Sequence, residues 1–409
     1  MTIRKVVRDN AEFIDELLRI IRRKLTESET KPDNDEISLM IENEFFSNSK
    51  FRYVNISDIN IVIDSVKKRI FSHYGVISKL LIDPSINEIM INGPDYIYVE
   101  QNHKLKLYDD AFTSEKELEE LIRMFASDVH REINEANPIV DARLSSGYRV
   151  NGVLKNIALN GPILTIRKFS EDEITLEDMV SYNTLSQECA DLLSNFVKAG
   201  YNIFISGGTS SGKTTFLNAL SYSIDNSERV IVIEDSAELK ISHLKNIVHM
   251  ECRNANSVGK GEVTMDKLIK TSLRMRPDRI IVGEVRGGEV VDMIQAMNTG
   301  HDGSMSTGHG NSIKGMLNRL ETMYTMDSQV TISSIRSQIA NAVDIFVHLR
   351  RDRMGKRKVV EVAELIGVKE NIYELNYLFV TGKNDELVRT DNKILDTERL
   401  ERLGIKPNS

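Results

Sequence analysis

The sequence contains the segment Gly207-Gly208-Thr209-Ser210-Ser211-Gly212-Lys213-Thr214, which fits the phosphate-binding pattern G-x-x-x-x-G-K-[ST]. The apolar run at 201–206 predicts a buried strand before it, and residues 215–223 predict a helix after it. In that context the glycines let backbone N–H groups surround phosphate oxygens, and the helix adds the positive end of its dipole. The sequence therefore predicts a P-loop nucleotide site, and the alternative is a plain glycine-rich turn.

The P-loop pattern also assigns individual roles. Lys213 is predicted to bridge the β- and γ-phosphates, and the Thr214 hydroxyl is predicted to bind Mg²⁺. The predicted nucleotide-binding residues are Gly207, Gly208, Thr209, Ser210, Ser211, Gly212, Lys213, Thr214 and Thr215.

The composition limits the class of protein. With 409 residues, 41% hydrophobic and 28% charged, the chain is expected to form two or three folded domains. A net charge of −8 argues against a general nucleic-acid binder, with a local basic channel as the open alternative, and no direct nucleic-acid contact is expected. Two cysteines, Cys189 and Cys252, form no zinc or disulfide framework and suit a reducing cytoplasm. No signal segment or membrane-spanning apolar run is found, so any membrane role is expected to depend on a partner.

The pattern of apolar residues changes along the chain. Residues 1–75 predict a small helical bundle without visible chemistry, and residues 76–169 predict a compact α/β domain. The polar stretch 170–175 is a candidate hinge. Residues 176–409 alternate strands and helices, as in a P-loop core with a mostly parallel sheet. The predicted strands of that core are 202–206, 229–233, 246–250, 279–283 and 343–349.

Two predicted strands end in carboxylates. Glu234 and Asp235 follow one apolar run and could orient the attacking water or hold a water on Mg²⁺; the alternative is a pair of helix caps. Glu284 follows another, with Gly283 where this kind of strand usually carries an Asp. The alternative for Glu284 is a surface acid after a core strand.

The segment Gly300–Ser312 contains His301 and His309 among glycines and hydroxyls. We interpret it as a loop that places an imidazole near a γ-phosphate, with a structural turn or a metal site as alternatives. Arg143, Arg149 and Arg167 stand in the preceding α/β domain. Guanidinium groups can grip phosphates with two hydrogen bonds, although arginines on strands more often lie on solvated faces.

Taken together, these motifs resemble those of the type II/IV secretion ATPases, and the chain is most similar to the Tad/Flp pilus-assembly branch. The resemblance covers roughly residues 76–380. Besides the P-loop, four segments carry the resemblance: Ile233-Glu234-Asp235, Leu273–Asp278, Gly283–Glu289 and Ser306–Ser312. In chain order, they include what look like the Asp box, an atypical Walker B and the His box of that family. Two motifs depart from the family pattern: Ser145-Ser146 stands where Pro-Asp is usual, and Gly310 stands where Ala is usual.

The resemblance implies an α/β fold, with a RecA-like P-loop ATPase domain preceded by a small α/β N-terminal domain and a helical N-terminal region. It implies a cytoplasmic homo-hexamer that hydrolyses ATP with Mg²⁺ at the inner face of the membrane and drives an inner-membrane platform protein. The implied catalytic residues are Lys213, Glu234, Glu284, His309, Arg143, Arg149 and Arg167, with Thr214 and Glu284 as the metal ligands. The roles of Glu234 and Glu284 could be exchanged.

Two questions stay open at the level of sequence. The arginines could act on the nucleotide of their own chain or of a neighbour, and the short hinge favours their own chain. The alternative function is a nucleic-acid translocase or a conjugation-related P-loop motor, which would show hydrolysis stimulated by DNA.

Overall fold

The computed structural model describes residues 2–28, 32–101, 104–168, 174–253, 255, 260–326, 328, 330–352, 355–382 and 385–406. The chain divides into two compact units, Met1–Glu171 and Asp172–Ser409. The predicted hinge at 170–175 lies mostly outside the described residues.

Unit 1 starts with a helical bundle. Its helices are α1 (Ile3–Asp9), α2 (Ala11–Glu27), α3 (Asn34–Ser47), α4 (Ile59–Phe71) and α5 (Ser78–Ile82), and α6 (Glu115–Asp128) follows later. Helix α2 buries Ile14, Leu17 and Ile21, which recur on one side of a helix, so the apolar stripe packs against the bundle. Helix α3 begins at a capping box formed by Asp33 and Glu36.

A six-stranded antiparallel sheet completes unit 1. Its strands are β1 (Ile86–Asn92), β2 (Tyr96–Gln101), β3 (Lys104–Leu107), β4 (Ile139–Arg143), β5 (Arg149–Val153) and β6 (Ile163–Arg167), in the order β3-β2-β1-β6-β5-β4. Buried Arg69 of α4 ties the bundle to this sheet domain, because its Nε donates to Glu117 at 2.6 Å and its Nη2 to the carbonyl of Ala111 at 2.8 Å. The helical residues and the α/β residues therefore form one packed unit.

Unit 2 is built on a nine-stranded sheet. The strands are β7 (Ile203–Gly207), β8 (Val230–Glu234), β9 (Ile247–Glu251), β10 (Arg279–Val285), β11 (Met305–His309), β12 (Ile345–Arg351), β13 (Arg357–Lys369), β14 (Ile372–Thr381) and β15 (Leu387–Arg389). Their order is β15-β14-β13-β12-β7-β11-β10-β8-β9. Strands β7 to β12 pair in parallel, and β13 to β15 extend the sheet with antiparallel pairs.

Helices cover both faces of the parallel strands. They are α7 (Leu176–Ser181), α8 (Gln187–Lys198), α9 (Lys213–Ser221), α10 (Met265–Ser272), α11 (Val290–Asn298), α12 (Ile313–Met326), α13 (Ile332–Ala342) and α14 (Glu398–Arg402). Alternate residues of β7 enter different cores: Ile203 and Ile205 pack with Phe216 of α9, while Phe204 packs with Met316 of α12. Because both faces are buried, β7 and β8 are apolar almost without interruption.

The structure confirms the predicted α/β fold class and corrects one element. The predicted histidine loop contains strand β11, whose last residue is His309. Strand β11 lies between β7 and β10, so it is central in the sheet. The carboxyl ends of β7, β8, β10 and β11 therefore meet at one edge, where open α/β sheets bind ligands.

Candidate nucleotide site

The P-loop is held in a special backbone shape between β7 and α9. Gly212 has φ +93°, and a Cβ there would lie 2.9 Å from Cδ of Arg357, so this position requires glycine. Ser210 also has a positive φ of 58°. The buried Oγ of Ser211 has no hydrogen-bond partner among the described residues. A loop with this curvature and an unsatisfied hydroxyl fits a phosphate ligand.

Lys213 opens helix α9 and is buried, with 7% of its surface exposed. Its Nζ lies 3.3 Å from the carbonyl oxygen of Gly208 and 3.3 Å from Nδ1 of His309. Burial lowers the pKa of Lys213, and the charge of Glu284 opposes that shift. A buried ammonium group is stabilised by an anion, and a phosphate bound at the P-loop would supply that negative charge.

His309 connects Lys213 to Glu284. Its Nε2 lies 3.0 Å from Oε1 of Glu284, while its Nδ1 faces Lys213. Burial lowers the pKa of His309, and the charge of Lys213 lowers it further, so the ring is neutral at pH 7. A neutral ring that donates from Nε2 to Glu284 can accept from Lys213 at Nδ1. The three side chains thus form one hydrogen-bonded chain.

Glu284 is also held by Arg286, whose Nε donates to Oε1 of Glu284 at 2.9 Å. Arg286 reaches Asp235 as well, at 3.5 Å. Burial alone would raise the pKa of Glu284, but the bond from Arg286 and the charges of Arg286, His309 and Lys213 bring it below its usual value. Glu284 is therefore a carboxylate at neutral pH.

Glu234 is the last residue of β8 and is buried, with 3% of its surface exposed. Its Oε1 accepts hydrogen bonds from the backbone N–H groups of Glu238 and Leu239, at 2.8 and 2.9 Å. A Cβ at Gly283 would lie 2.9 Å from Cγ of Glu234. Glu234 therefore occupies the space that a side chain at residue 283 would need, which explains why glycine stands there in place of the usual Asp.

The remaining predicted P-loop residues take the positions that the motif requires. Gly207 ends β7, Gly208 and Thr209 are exposed in the loop, and Thr214 and Thr215 are half-buried in the first turn of α9. The P-loop, Glu234, Glu284 and His309 are thus gathered at one edge of the unit 2 sheet.

The three predicted arginines form a row in unit 1. Arg149 of β5 is paired directly with Arg143 of β4 and with Arg167 of β6. Residues opposite each other on neighbouring strands project from the same face, and like charges there repel. Arg149 has a weak counter-charge in Asp141 at 3.7 Å, and Glu88 of β1 is paired with Arg167. The row is a concentrated positive charge suited to an anion.

Three residues of this edge were not predicted from the sequence. Arg286 bridges Glu284 and Asp235, Arg357 donates from Nε to the carbonyl of Ser210 at 3.4 Å, and His348 contacts Ser206 just before the P-loop. Arg357 lies in a basic turn that is visible in the sequence, but its distance from the P-loop along the chain conceals the contact.

The described residues contain no group of three or more His, Cys, Asp or Glu side chains arranged to hold a metal. The metal alternative for the histidine segment therefore has no support in that part of the chain. Likewise, none of the described helices combines the length and the apolar character needed to cross a membrane.

Comparisons with known proteins agree on one family. Residues 72–374 match the model of the type II/IV secretion system protein family. The chain is 33% identical over 297 residues to a putative conjugal transfer protein of Mycobacterium tuberculosis, covering 71% of this chain and 84% of that protein. It is 31% identical over 317 residues to the type IV secretion system protein PtlH of Bordetella pertussis, covering 71% and 93%.

A solved structure supports the fold. The pilus retraction motor PilT with bound ADP aligns with a TM-score of 0.53 at 21% identity, covering 80% of this chain and 86% of that one. With the P-loop site described above and a family match over most of its length, the chain belongs to the type II/IV secretion system protein family and is an ATPase.

Proposed function

We propose that this ATPase is the motor of a secretion or pilus-assembly system and hydrolyses Mg²⁺-bound ATP at the P-loop edge of unit 2. The observation that carries the proposal is the chain of contacts from Lys213 through His309 to Glu284, with distances of 3.3 and 3.0 Å. It joins Lys213, which would bind the phosphates, to Glu284 near the carboxyl end of β10, and His309 of the intervening strand β11 makes the connection. An ATP-dependent motor needs such a link between nucleotide state and neighbouring strands.

Lys213 changes partners in this proposal. Its Nζ contacts His309 and the carbonyl of Gly208, and both are weaker partners for an ammonium group than phosphate oxygens are. Lys213 would turn to the β- and γ-phosphates, which frees Nδ1 of His309. His309 then faces the γ-phosphate while its Nε2 stays on Glu284.

The two acids have different surroundings, which supports different roles. Thr214 and Glu284 would hold Mg²⁺, the latter through a water, because Glu284 is a half-buried carboxylate that interacts with the charge of Lys213. Glu234 would orient or deprotonate the attacking water, since its Oε1 is fixed by two backbone N–H groups and its position is well defined. Mg²⁺ would neutralise charge that develops on the phosphates.

The arginine row is proposed to complete the nucleotide site with Arg143, Arg149 and Arg167. Arginine fingers of this kind contribute about 10³–10⁵ in rate in phosphoryl transfer. We favour action on the nucleotide of the same chain. Mixing Lys213→Ala with Arg167→Ala subunits tests that choice: activity should stay low, whereas recovery well above either variant alone would show that neighbouring chains exchange the arginines.

The oligomeric state and the membrane partner are inferred from the family resemblance. We infer a homo-hexamer in the cytoplasm at the inner face of the membrane, of the Tad/Flp pilus type, that drives an inner-membrane platform protein. The motifs quoted from the sequence support this branch. Membrane contact would come through the platform protein.

A conjugation-related motor is the second candidate, because one relative is named a putative conjugal transfer protein. The test is ATP hydrolysis by the purified protein with Mg²⁺, alone, with single- or double-stranded DNA, and with the cytoplasmic domain of a co-encoded platform protein. The proposal expects stimulation by the platform domain and none by DNA. Stimulation by DNA alone would favour the second candidate.

A further inference from the structure

A buried histidine that has no assigned role lies on the other side of the P-loop strand. His348 of β12 is 5% exposed, and its Nδ1 lies 2.8 Å from Oγ of Ser206, which is fully buried. Ser206 directly precedes the first P-loop glycine. The ring is therefore anchored to the strand that opens the nucleotide site.

The same ring reaches the segment that follows His309. The ring also interacts with the backbone of Asn311, just before helix α12, and this interaction raises the pKa of His348. Glu361, paired with His348 across β12 and β13, accepts from the N–H of Ile313 at 3.5 Å. The imidazole thus lies between the strand of the P-loop and the amino end of α12.

The ring can serve both neighbours at once in its neutral form. Burial lowers the pKa of His348, and the charge of Glu361 opposes that shift. A neutral imidazole has one N–H and one bare nitrogen, so it can donate to one group and accept from another. A backbone bond from Gly310 N–H to the carbonyl of Gly207, at 3.3 Å, ties the same two segments a second time.

We propose that His348 is a positioning residue for hydrolysis: it fixes residues 310–312 against the P-loop strand and so keeps His309 within reach of Lys213 and Glu284. The inference rests on the proposed roles of those three residues. His309 ends β11, only two residues before Asn311, so loss of the tether would displace its ring.

The test compares three variants. His348→Leu removes the contacts of the ring with Ser206 and Asn311, whereas His348→Asn keeps a polar atom at the position of Nδ1. Ser206→Ala removes the partner of Nδ1. His243→Leu is the control, because His243 is a half-buried histidine of the same unit whose Nε2 lies 3.0 Å from the carbonyl oxygen of Ser221, at the far end of α9. Melting temperature, ATP affinity and kcat are measured for each. A fluorescent ATP analogue reports the affinity.

We expect His348→Leu to lower kcat about tenfold, since small displacements of catalytic groups are costly, with ATP affinity within about threefold of the unchanged protein. The kcat of Ser206→Ala should lie between those of His348→Leu and the unchanged protein. His348→Asn should have a higher kcat than His348→Leu, and His243→Leu should have a normal kcat. If His348→Leu does not fold, His348→Asn and Ser206→Ala decide the matter. An unchanged kcat in the folded variants would overturn the inference.

A double variant separates positioning from general damage. Because His348 is proposed to act through His309, His348→Leu should lower the rate of single-turnover hydrolysis when His309 is present. It should not lower that rate further in a His309→Ala background. An equal loss in both backgrounds would show that His348 does not act through His309. If the unchanged protein did not hydrolyse ATP at all, the proposed function itself would fail, so the two failures are distinguishable.

Discussion

At the residue scale, Gly283 and Glu234 share one space at the tips of β10 and β8. A Cβ on residue 283 would lie 2.9 Å from Cγ of Glu234. Gly283→Ala should therefore displace the Glu234 carboxylate and lower ATP hydrolysis by up to about 10²-fold, the scale for a 1 Å misplacement. Binding of a fluorescent ATP analogue should stay close to normal, because the P-loop is untouched.

The control for this substitution is Gly367→Ala on β13, where a Cβ meets open space and φ is not positive. It should leave both hydrolysis and melting temperature nearly unchanged. Glu234→Gln should reproduce the effect of Gly283→Ala. Normal turnover in Gly283→Ala would show that the position of Glu234 does not matter for hydrolysis.

The histidines of the site predict a pH dependence of stability. The folded-state pKa values of His309 and His348 are lower than normal because both rings are buried. Below the unfolded value of about 6.5, the unfolded chain binds more protons, so stability is lost as the pH falls through that region.

We therefore expect the melting temperature to fall between pH 7 and pH 5, and to fall less in His309→Asn, which keeps a polar side chain but does not titrate. The lowered pKa of Glu284 acts at more acidic pH, outside this window. Identical pH profiles for the two proteins would contradict the burial effect at His309.

The sequence predicts which side chains lie at this edge better than it predicts their partners. It singles out Lys213, Glu234, Glu284 and His309 because each belongs to a motif near the end of a strand. Arg286 was visible beside Glu284, but its bond to Glu284 depends on side-chain direction. The tie between Ser206 and His348 joins residues 142 positions apart, so local sequence carries no sign of it.

At the element scale, the aligned arginines of β4, β5 and β6 predict opposite effects on stability and activity. Arg149→Gln removes the central charge of the row, and like charges placed directly opposite are destabilising. We expect an unchanged or slightly higher melting temperature without nucleotide, together with clearly slower ATP hydrolysis. Calorimetry and a steady-state ATPase assay measure the two effects.

A surface arginine of the same unit provides the comparison for Arg149→Gln. Arg123 pairs with Glu119 one turn away on α6, so Arg123→Gln removes a favourable contact and leaves the row intact. It should lower stability slightly and leave hydrolysis unchanged. A loss of stability in Arg149→Gln without a loss of activity would indicate that the row is structural.

Two strands are not predicted from the sequence, and the physical reason is the same for both. Strand β11, Met305–His309, is rich in small and polar residues, so it has no apolar run, yet it is buried by β7 and β10 on either side. Strand β3, Lys104–Leu107, is short, and all four of its residues are exposed at the sheet edge. In both cases the neighbouring strands, and not local propensity, determine the conformation.

At the scale of the whole molecule, the proposed ring predicts a change in mass with nucleotide. Light scattering with ATP and Mg²⁺ should give an assembly several-fold heavier than the 46.4 kDa chain. The same measurement on Lys213→Ala tests whether assembly needs bound nucleotide. A strict monomer at micromolar concentration, with nucleotide and with the platform domain present, would contradict the ring.

We propose above that ATP is hydrolysed at the edge where Lys213, His309 and Glu284 meet. The most direct measurement is steady-state ATP hydrolysis by the unchanged protein and by Lys213→Ala, with Lys198→Ala of the same unit as the control. We expect Mg²⁺-dependent hydrolysis that Lys213→Ala lowers by at least about 10²-fold, the scale for losing one charge-stabilising group. Lys198→Ala should leave the rate unchanged. Near-normal turnover in Lys213→Ala would contradict the proposal.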